Sequence, residues 1–408
     1  MEAYSQTFPA NVKKALADSQ LQFSMTETGP RFIYKRTKAR EALPEFDALR
    51  DQARDIKNHV LEHLDIYLER YEQKVIQSGG HVHWASTAEE ARAAILGICK
   101  RVDAKIVTKG KSMISEEIDL NKYLEEAGHT PVETDLGEYL IQLRGERPSH
   151  IIAPAVHLTR DQVEADFRKA HTHLDPNRDL SEIPTMVEEA RGVLRQKYLQ
   201  ADVGVTGANF LIAETGTSII VTNEGNGDLT QILPKVHIVI ASIEKIVPTL
   251  EDTATILRVL ARSATGQDFS NYTTLSTGPR REGDPDGPEE YHVVILDNGR
   301  SNVLGTEFQD MLRCIRCGAC LNHCPVYQAV GGHAYGWVYP GPIGSVVTPA
   351  LVGLKNAKHL PNASTFCGRC EEVCPMRIPL PKMLRHSSEK ESGRDLETAL
   401  MRSEVSLD

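Results

Sequence analysis

Between residues 46 and 75 the apolar positions fall into one stripe. Phe46, Leu49, Ala53, Ile56, Val60, Leu64, Tyr67, Tyr71 and Val75 recur at three- and four-residue steps, which puts them on one face of a helix. The pattern predicts a long packing helix after Pro44, stopped by Gly79-Gly80, because glycine readily takes the left-handed turn that ends helices. Residues 1–43 show no such stripe and read as a polar extension over the surface. From 81 to about 300 the period keeps changing. The runs HVHW (81–84), AKIVTK (104–109), HIIA (150–153), DVGVTG (202–207), FLIA (210–213), SIIVT (218–222), VHIVIA (236–241) and YHVVILD (291–297) predict strands. Segments 89–102, 115–128, 182–199 and 251–264 predict helices among them. Alternation of this kind implies an α/β domain with a largely parallel sheet. GPRREGDPDGPEE (278–290) is polar and rich in Gly and Pro, hence a surface loop. The expected division is an extension and long helix (1–80), an α/β domain (81–300), a region of short helices and cysteine motifs (301–392) and a polar tail (393–408).

The 408 residues carry 40% hydrophobic and 25% charged side chains, as soluble domains do. Net charge is −10 and no basic block stands out, so nucleic acid is not an expected partner. No apolar run approaches the ~20 residues that span a bilayer. The start, MEAYSQTFPANVKKAL, lacks the apolar core of a secretion signal. The expected location is the cytoplasm, with the inner face of the membrane reached only through partners.

Of eight cysteines, seven lie between 314 and 374. A disulfide framework would spread them out, whereas proline-ended clusters suggest metal. The eighth, Cys99, sits on the apolar face of a predicted helix and reads as a buried structural thiol. CIRCGACLNHCP (314–325) has the C-x2-C-x2-C-x3-C-P spacing of bacterial iron–sulfur proteins. Zinc sites seldom use seven cysteines in this arrangement. In two-cluster proteins the fourth cysteine of such a run ligates the other cluster. Crossed ligation assigns Cys314, Cys317, Cys320 and Cys374 to one [4Fe–4S] cluster, and Cys324, Cys367 and Cys370 to a second. The second set is one thiolate short, and Ser364 stands at the missing position. Three outcomes follow: a [3Fe–4S] cluster, a [4Fe–4S] cluster with an open iron, or ligation by the serine oxygen; a fourth reading makes Ser364 an altered cysteine with no natural role. Thiolate is the softer ligand, which ranks the first two above the third. The roughly forty residues between the motifs exceed what a compact ferredoxin needs and point to an α-helical ferredoxin domain. Gly341-Pro342 suggests a tight loop over a cluster, and Tyr335, Trp337 and Tyr339 read equally as its shield or as ordinary packing aromatics.

The α/β domain with GVTGANFLIAETGTSIIVTNEGN (204–226), joined to CIRCGACLNHCP and HAYGWVYPGPIG, resembles the iron–sulfur subunits (B components) of bacterial lactate-utilisation complexes. The resemblance spans about 35–390 and implies a LUD domain, with a fold related to sugar-phosphate isomerases and CoA transferases. It implies an assembly oxidising L-lactate to pyruvate without NAD, whose other members are a cysteine-rich iron–sulfur subunit and a second LUD-domain subunit. It also implies cysteine at the position that Ser364 holds here.

Lys109, Lys111 and Ser112 follow a predicted strand at a helix start, where open α/β sheets bind anions. Glu214, Asn223, Glu224 and Asn226 lie near other strand ends and complete a candidate substrate pocket, although Asn and Gly there also suit turns. His81 and His83 share a strand face but have no third ligand nearby in sequence. No G-x-G-x-x-G opens a βα unit, so nicotinamide or flavin is not expected on this chain. Oxidising a 2-hydroxy acid removes two electrons, and each cluster passes one. The expected role is therefore an electron-transfer subunit. Alternatives are an open-iron catalytic cluster acting on another 2-hydroxy acid such as glycolate, or a redox or metabolite sensor.

Overall fold

A computed structural model describes residues 3–390; the polar tail expected at 393–408 lies outside them. Ten strands form two sheets: β1 (His81–Ala85), β2 (Ile106–Lys109), β3 (Thr130–Glu133), β4 (Val203–Gly207), β5 (Phe210–Ile212), β6 (Thr217–Thr222), β7 (Val236–Ser242), β8 (Ile246–Val247), β9 (Tyr272–Ser276) and β10 (Glu290–Leu296). The larger sheet has the order β1-β10-β7-β4-β2-β3, and every pair in it is parallel. Strand β7 reads as a continuous apolar run because helices cover both faces. Its alternate residues serve two cores. Val236, Ile238 and Ile240 face one, shared with Val294 and Leu296 of β10. Val239 and Ala241 face the other, with Val293 and Ile295. The second sheet, β8-β5-β6-β9, is antiparallel except between β5 and β8.

Several expectations change. Residues 1–43 are no loose extension: helices Phe8–Ala17 and Ser19–Glu41 occupy most of the segment. The second is capped by Asp18, whose carboxylate accepts from the Gln20 and Leu21 amides. It shows no apolar stripe because it packs through scattered polar contacts, such as Arg36 Nη2 donating to the Val373 carbonyl at 2.8 Å. The long stripe divides into helices Phe46–Glu62 and Leu64–Gln77, broken at His63. The first packs mainly on the core around the cysteine motifs, and the second packs behind the large sheet. HIIA (150–153) is a turn, because His150 Nδ1 accepts from the amides of Ile152 and Ala153 and holds the chain bent. Strands β3, β8 and β9 were not anticipated, being short or partly polar. Gly341-Pro342 starts a buried helix, Gly341–Val352, rather than a loop. Cys99 is fully buried, which pushes its thiol up to about 12.

After β10 no strand occurs among the described residues. Short helices at Ala319–Asn322, Pro325–Val330, Gly341–Val352 and Arg369–Glu372 enclose the cysteine motifs, and residues 380–390 are helical. No described helix is long and apolar enough to cross a membrane.

Candidate iron–sulfur centres and an adjoining cavity

The two cysteine segments share one local design. In the first, Arg316 has φ +58° and Gly318 φ +73°, and the helix Ala319–Asn322 follows. In the second, Phe366 has φ +52° and Gly368 φ +81°, followed by Arg369–Glu372. Two left-handed residues around one cysteine curl the backbone so that its amides turn inward. The Arg316 amide donates to Cys314 Sγ at 3.4 Å. The Phe366 amide donates in the same way to Ser364 Oγ at 3.0 Å. Ser364 therefore holds the local position of Cys314 with oxygen in place of sulfur.

The chain brings distant thiols together. Cys314, Cys317, Cys320 and Cys374 line one small cavity, closed otherwise mainly by apolar side chains such as Ile151, Ile343 and Met376. Burial comes first in raising the Cys317 thiol to about 12, with Cys374 and Cys314 next. Cys320 is raised further, by burial and then by Cys314, Cys317 and Cys374. Cys324 keeps different company: burial raises its thiol, and Cys367 adds to this. Burial and Cys324 push Cys370 up to about 12. Cys367 alone is exposed, and hydrogen bonds from Thr365 and the Arg369 amide lower its thiol. None of the eight cysteines is in a disulfide. Clustered thiols, most of them buried and several faced by backbone N–H groups, form the donor set that a cationic cluster neutralises. The residues present fit iron–sulfur clusters.

The N-terminal helices grip the second segment by its backbone. Arg50 donates to the carbonyls of Glu372 and Cys374, both at 2.7 Å, and to Asp47 at 2.7 Å. The aromatic segment lies against the motifs: Tyr335, Trp337 and Tyr339 are all buried. Tyr339 also donates to Glu117 Oε2 at 2.7 Å. That carboxylate begins a buried ionic chain to the first cysteine loop. Arg300 pairs with Glu117 at 2.6 Å and with Glu244 at 3.1 Å, and Arg316 lies 3.5 Å from Glu244. Burial opposes an ionised Glu244, but Arg300 and Arg316 bring its carboxyl down to about 2.

Beyond Arg316 opens a cavity of about 640 Å³. Among the predicted pocket residues Lys111, Ser112, Asn223, Glu224 and Asn226 line it. Lys109 does not. It points into the protein, paired with Glu133 at 2.6 Å and Glu116 at 2.8 Å. Burial alone would lower its ammonium, but Glu116, Glu133 and Glu138 raise it above the usual range. Glu214 is also excluded: it is exposed on the turn between β5 and β6. Lys111 donates to the Ile152 carbonyl at 3.0 Å and lies 3.6 Å from Asp135. Lys245 and Arg316 were not anticipated as lining residues. Lys245 follows β7 and so offered a strand-end signal; Arg316 lay inside the cysteine motif, where the thiols masked it. Burial and Arg316 push the Lys245 ammonium down to about 8. His81 and His83 meet a third histidine: His83 lies 3.0 Å from His292, which in turn bonds Glu290 at 3.0 Å.

Known proteins match along nearly the whole chain. A LUD domain model covers residues 68–296, and a 4Fe-4S dicluster domain model covers 310–378. Lactate utilization protein B of Shouchella clausii is 46% identical over 380 residues, 92% of this chain and 79% of that protein. Lactate utilization protein B of Bacillus subtilis is 44% identical over 387 residues, 94% of this chain and 80% of that one. An uncharacterized electron transport protein of Escherichia coli is 45% identical over 380 residues, 93% of this chain and 79% of its own. A solved duf162 family protein from Deinococcus radiodurans, at 18% identity and TM-score 0.30, covers 57% of this chain and 98% of its own. An α/β LUD domain with a helical N-terminus and a C-terminal 4Fe-4S dicluster domain, the chain belongs to the lactate utilization protein B family.

Proposed function

We propose that this chain is the iron–sulfur electron-transfer subunit of an assembly that oxidises L-lactate to pyruvate. The observation that carries the reading is the crossing of the two segments. Cys374 lies with Cys314, Cys317 and Cys320, while Cys324 keeps company with Cys367 and Cys370. The first set would hold a [4Fe–4S] cluster. The second, with Ser364 at its fourth corner, would hold [3Fe–4S] or a labile [4Fe–4S]. Cys370 acts on the Cys320 thiol, so the two sets are neighbours. Clusters bound there pass electrons singly, whereas lactate releases a pair with two protons; the pair is split on a partner. The names of the relatives, lactate utilization and electron transport, support both substrate and role. The partners in this reading are a cysteine-rich iron–sulfur subunit and a second LUD-domain subunit, through which the chain would reach the inner face of the membrane.

The test is anaerobic purification with iron and sulfide counting and EPR. About seven to eight irons per chain and one [3Fe–4S] signal in the oxidised protein are expected. A single zinc would end the reading. L-lactate added to the isolated subunit should leave the EPR signals unchanged. A perturbed second-cluster signal would instead make the Ser364 corner the reacting site.

A further inference from the structure

The large cavity and the first cysteine loop share a wall. Arg316 and Ile151 line both the 640 Å³ cavity and the small cavity of Cys314, Cys317, Cys320 and Cys374. Arg316 faces two ways. Its amide is bonded to Cys314 Sγ at 3.4 Å, while its guanidinium lies over the Tyr339 ring, 4.6 Å from the centroid. Its left-handed backbone, φ +58°, is uncommon for a side chain with a Cβ and is held here by those contacts.

Of the cations beside this wall, Arg300 and Arg316 are paired with Glu117 and Glu244, and Cys314 stands next to Arg316 as well. The Lys245 ammonium makes no hydrogen bond to any described residue. Lys111 is matched by Asp135, and Glu224, the other carboxylate of the lining, is exposed. The lining also includes the apolar side chains of Phe32, Val156, Leu158 and Leu260. Its size falls in the range of pockets that take cofactor-sized ligands, roughly 300–1,000 Å³.

We propose that this cavity binds an organic anion, its carboxylate or phosphate on Lys245 and Arg316 and its body on the apolar side chains, and that Arg316 makes the first metal site sense its presence. The second half of this proposal rests on the ligand set proposed above; the first half does not. An anion placed against Arg316 favours the more positive, oxidised state of a neighbouring cluster, so the potential of that cluster falls on binding.

The experiment uses the full chain, purified anaerobically with its iron. Calorimetry follows binding of pyruvate, of flavin mononucleotide, which joins a phosphate to a large ring body, and of inorganic phosphate. The first two arms separate a small 2-oxo acid from a larger redox molecule. Phosphate alone reports the charge without the body. One organic probe should bind more tightly than phosphate, and Lys245→Gln should weaken it at least tenfold with iron and sulfide unchanged. Lys105→Gln, at an exposed lysine outside the cavity, should change nothing. The bound probe should lower the potential of the first cluster in a redox titration. Neither organic probe binding, or equal binding to wild type and Lys245→Gln, overturns the cavity assignment. Binding with no shift in a cluster shown to depend on Cys317 overturns the role of Arg316. Binding that persists while Cys317→Ala leaves the EPR unchanged overturns the proposed ligand set instead, and spares the cavity.

Discussion

The two cysteine segments have nearly the same backbone and opposite settings. The first lies in the interior, with its loop wedged between the LUD domain and the buried aromatics Tyr335, Trp337 and Tyr339. The second reaches the surface: Phe366 and Cys367 are exposed, and Ser364 is partly so. At the first, the left-handed residue is an arginine tied to Glu244 and Tyr339. At the second it is a phenylalanine with 39% of its surface in water. Local geometry thus determines where a donor points, and the surroundings determine what that donor experiences. In the ligand sets proposed above, four thiolates in the core suit a permanent cluster, and three with Ser364 at a partly exposed corner suit a changeable one.

The comparison breaks most visibly if one thiol is removed from each set. Cys320→Ala should remove about half the iron and destabilise the protein by several kcal/mol, because metal-binding energy there is folding energy of the core. Cys370→Ala should cost the other site its iron with a smaller fall in thermal midpoint. Equal losses of stability would erase the distinction between interior and surface. A subtler change sharpens it. Ser364→Cys supplies the missing thiolate, so the [3Fe–4S] signal should vanish and iron rise by about one per chain. An unaltered spectrum would mean that this corner does not face iron. The smallest effect concerns the backbone alone. Phe366→Gly relieves a left-handed residue whose side chain is already 39% exposed, and should stabilise by about 0.5–1 kcal/mol in denaturant unfolding. Arg316→Gly has the same backbone benefit but loses the Tyr339 and Glu244 contacts, and should destabilise. If both stabilise, the contacts of Arg316 contribute nothing.

Much of this was legible in the residues. The parallel sheet announced itself because β7 and β10 must be apolar on both faces. The helices at Ala88–Arg101, Ile183–Leu199 and Leu250–Ala264 followed from their spacing. Elements with mixed neighbours were harder to see. Ser19–Glu41 packs through Arg36 and small residues, so its stripe is faint. The pocket divided: Lys111 and Lys109 are two residues apart, yet β2 ends between them. One reaches the cavity, while the other is held by Glu116 and Glu133.

By itself the sequence determined the curl of each cysteine loop and the identity of its donors. Three ligands within seven residues are governed by a few backbone angles, and glycine and proline spacing set those. The motif spacing also implied that each segment lends its last thiol to the other; only the tertiary structure decided that Arg316 stands between the first cysteine loop and a cavity. Arg316 and cavity residues such as Ser112 and Lys245 lie far apart in sequence and meet through the packing of cores between them, and no local spacing encodes that meeting.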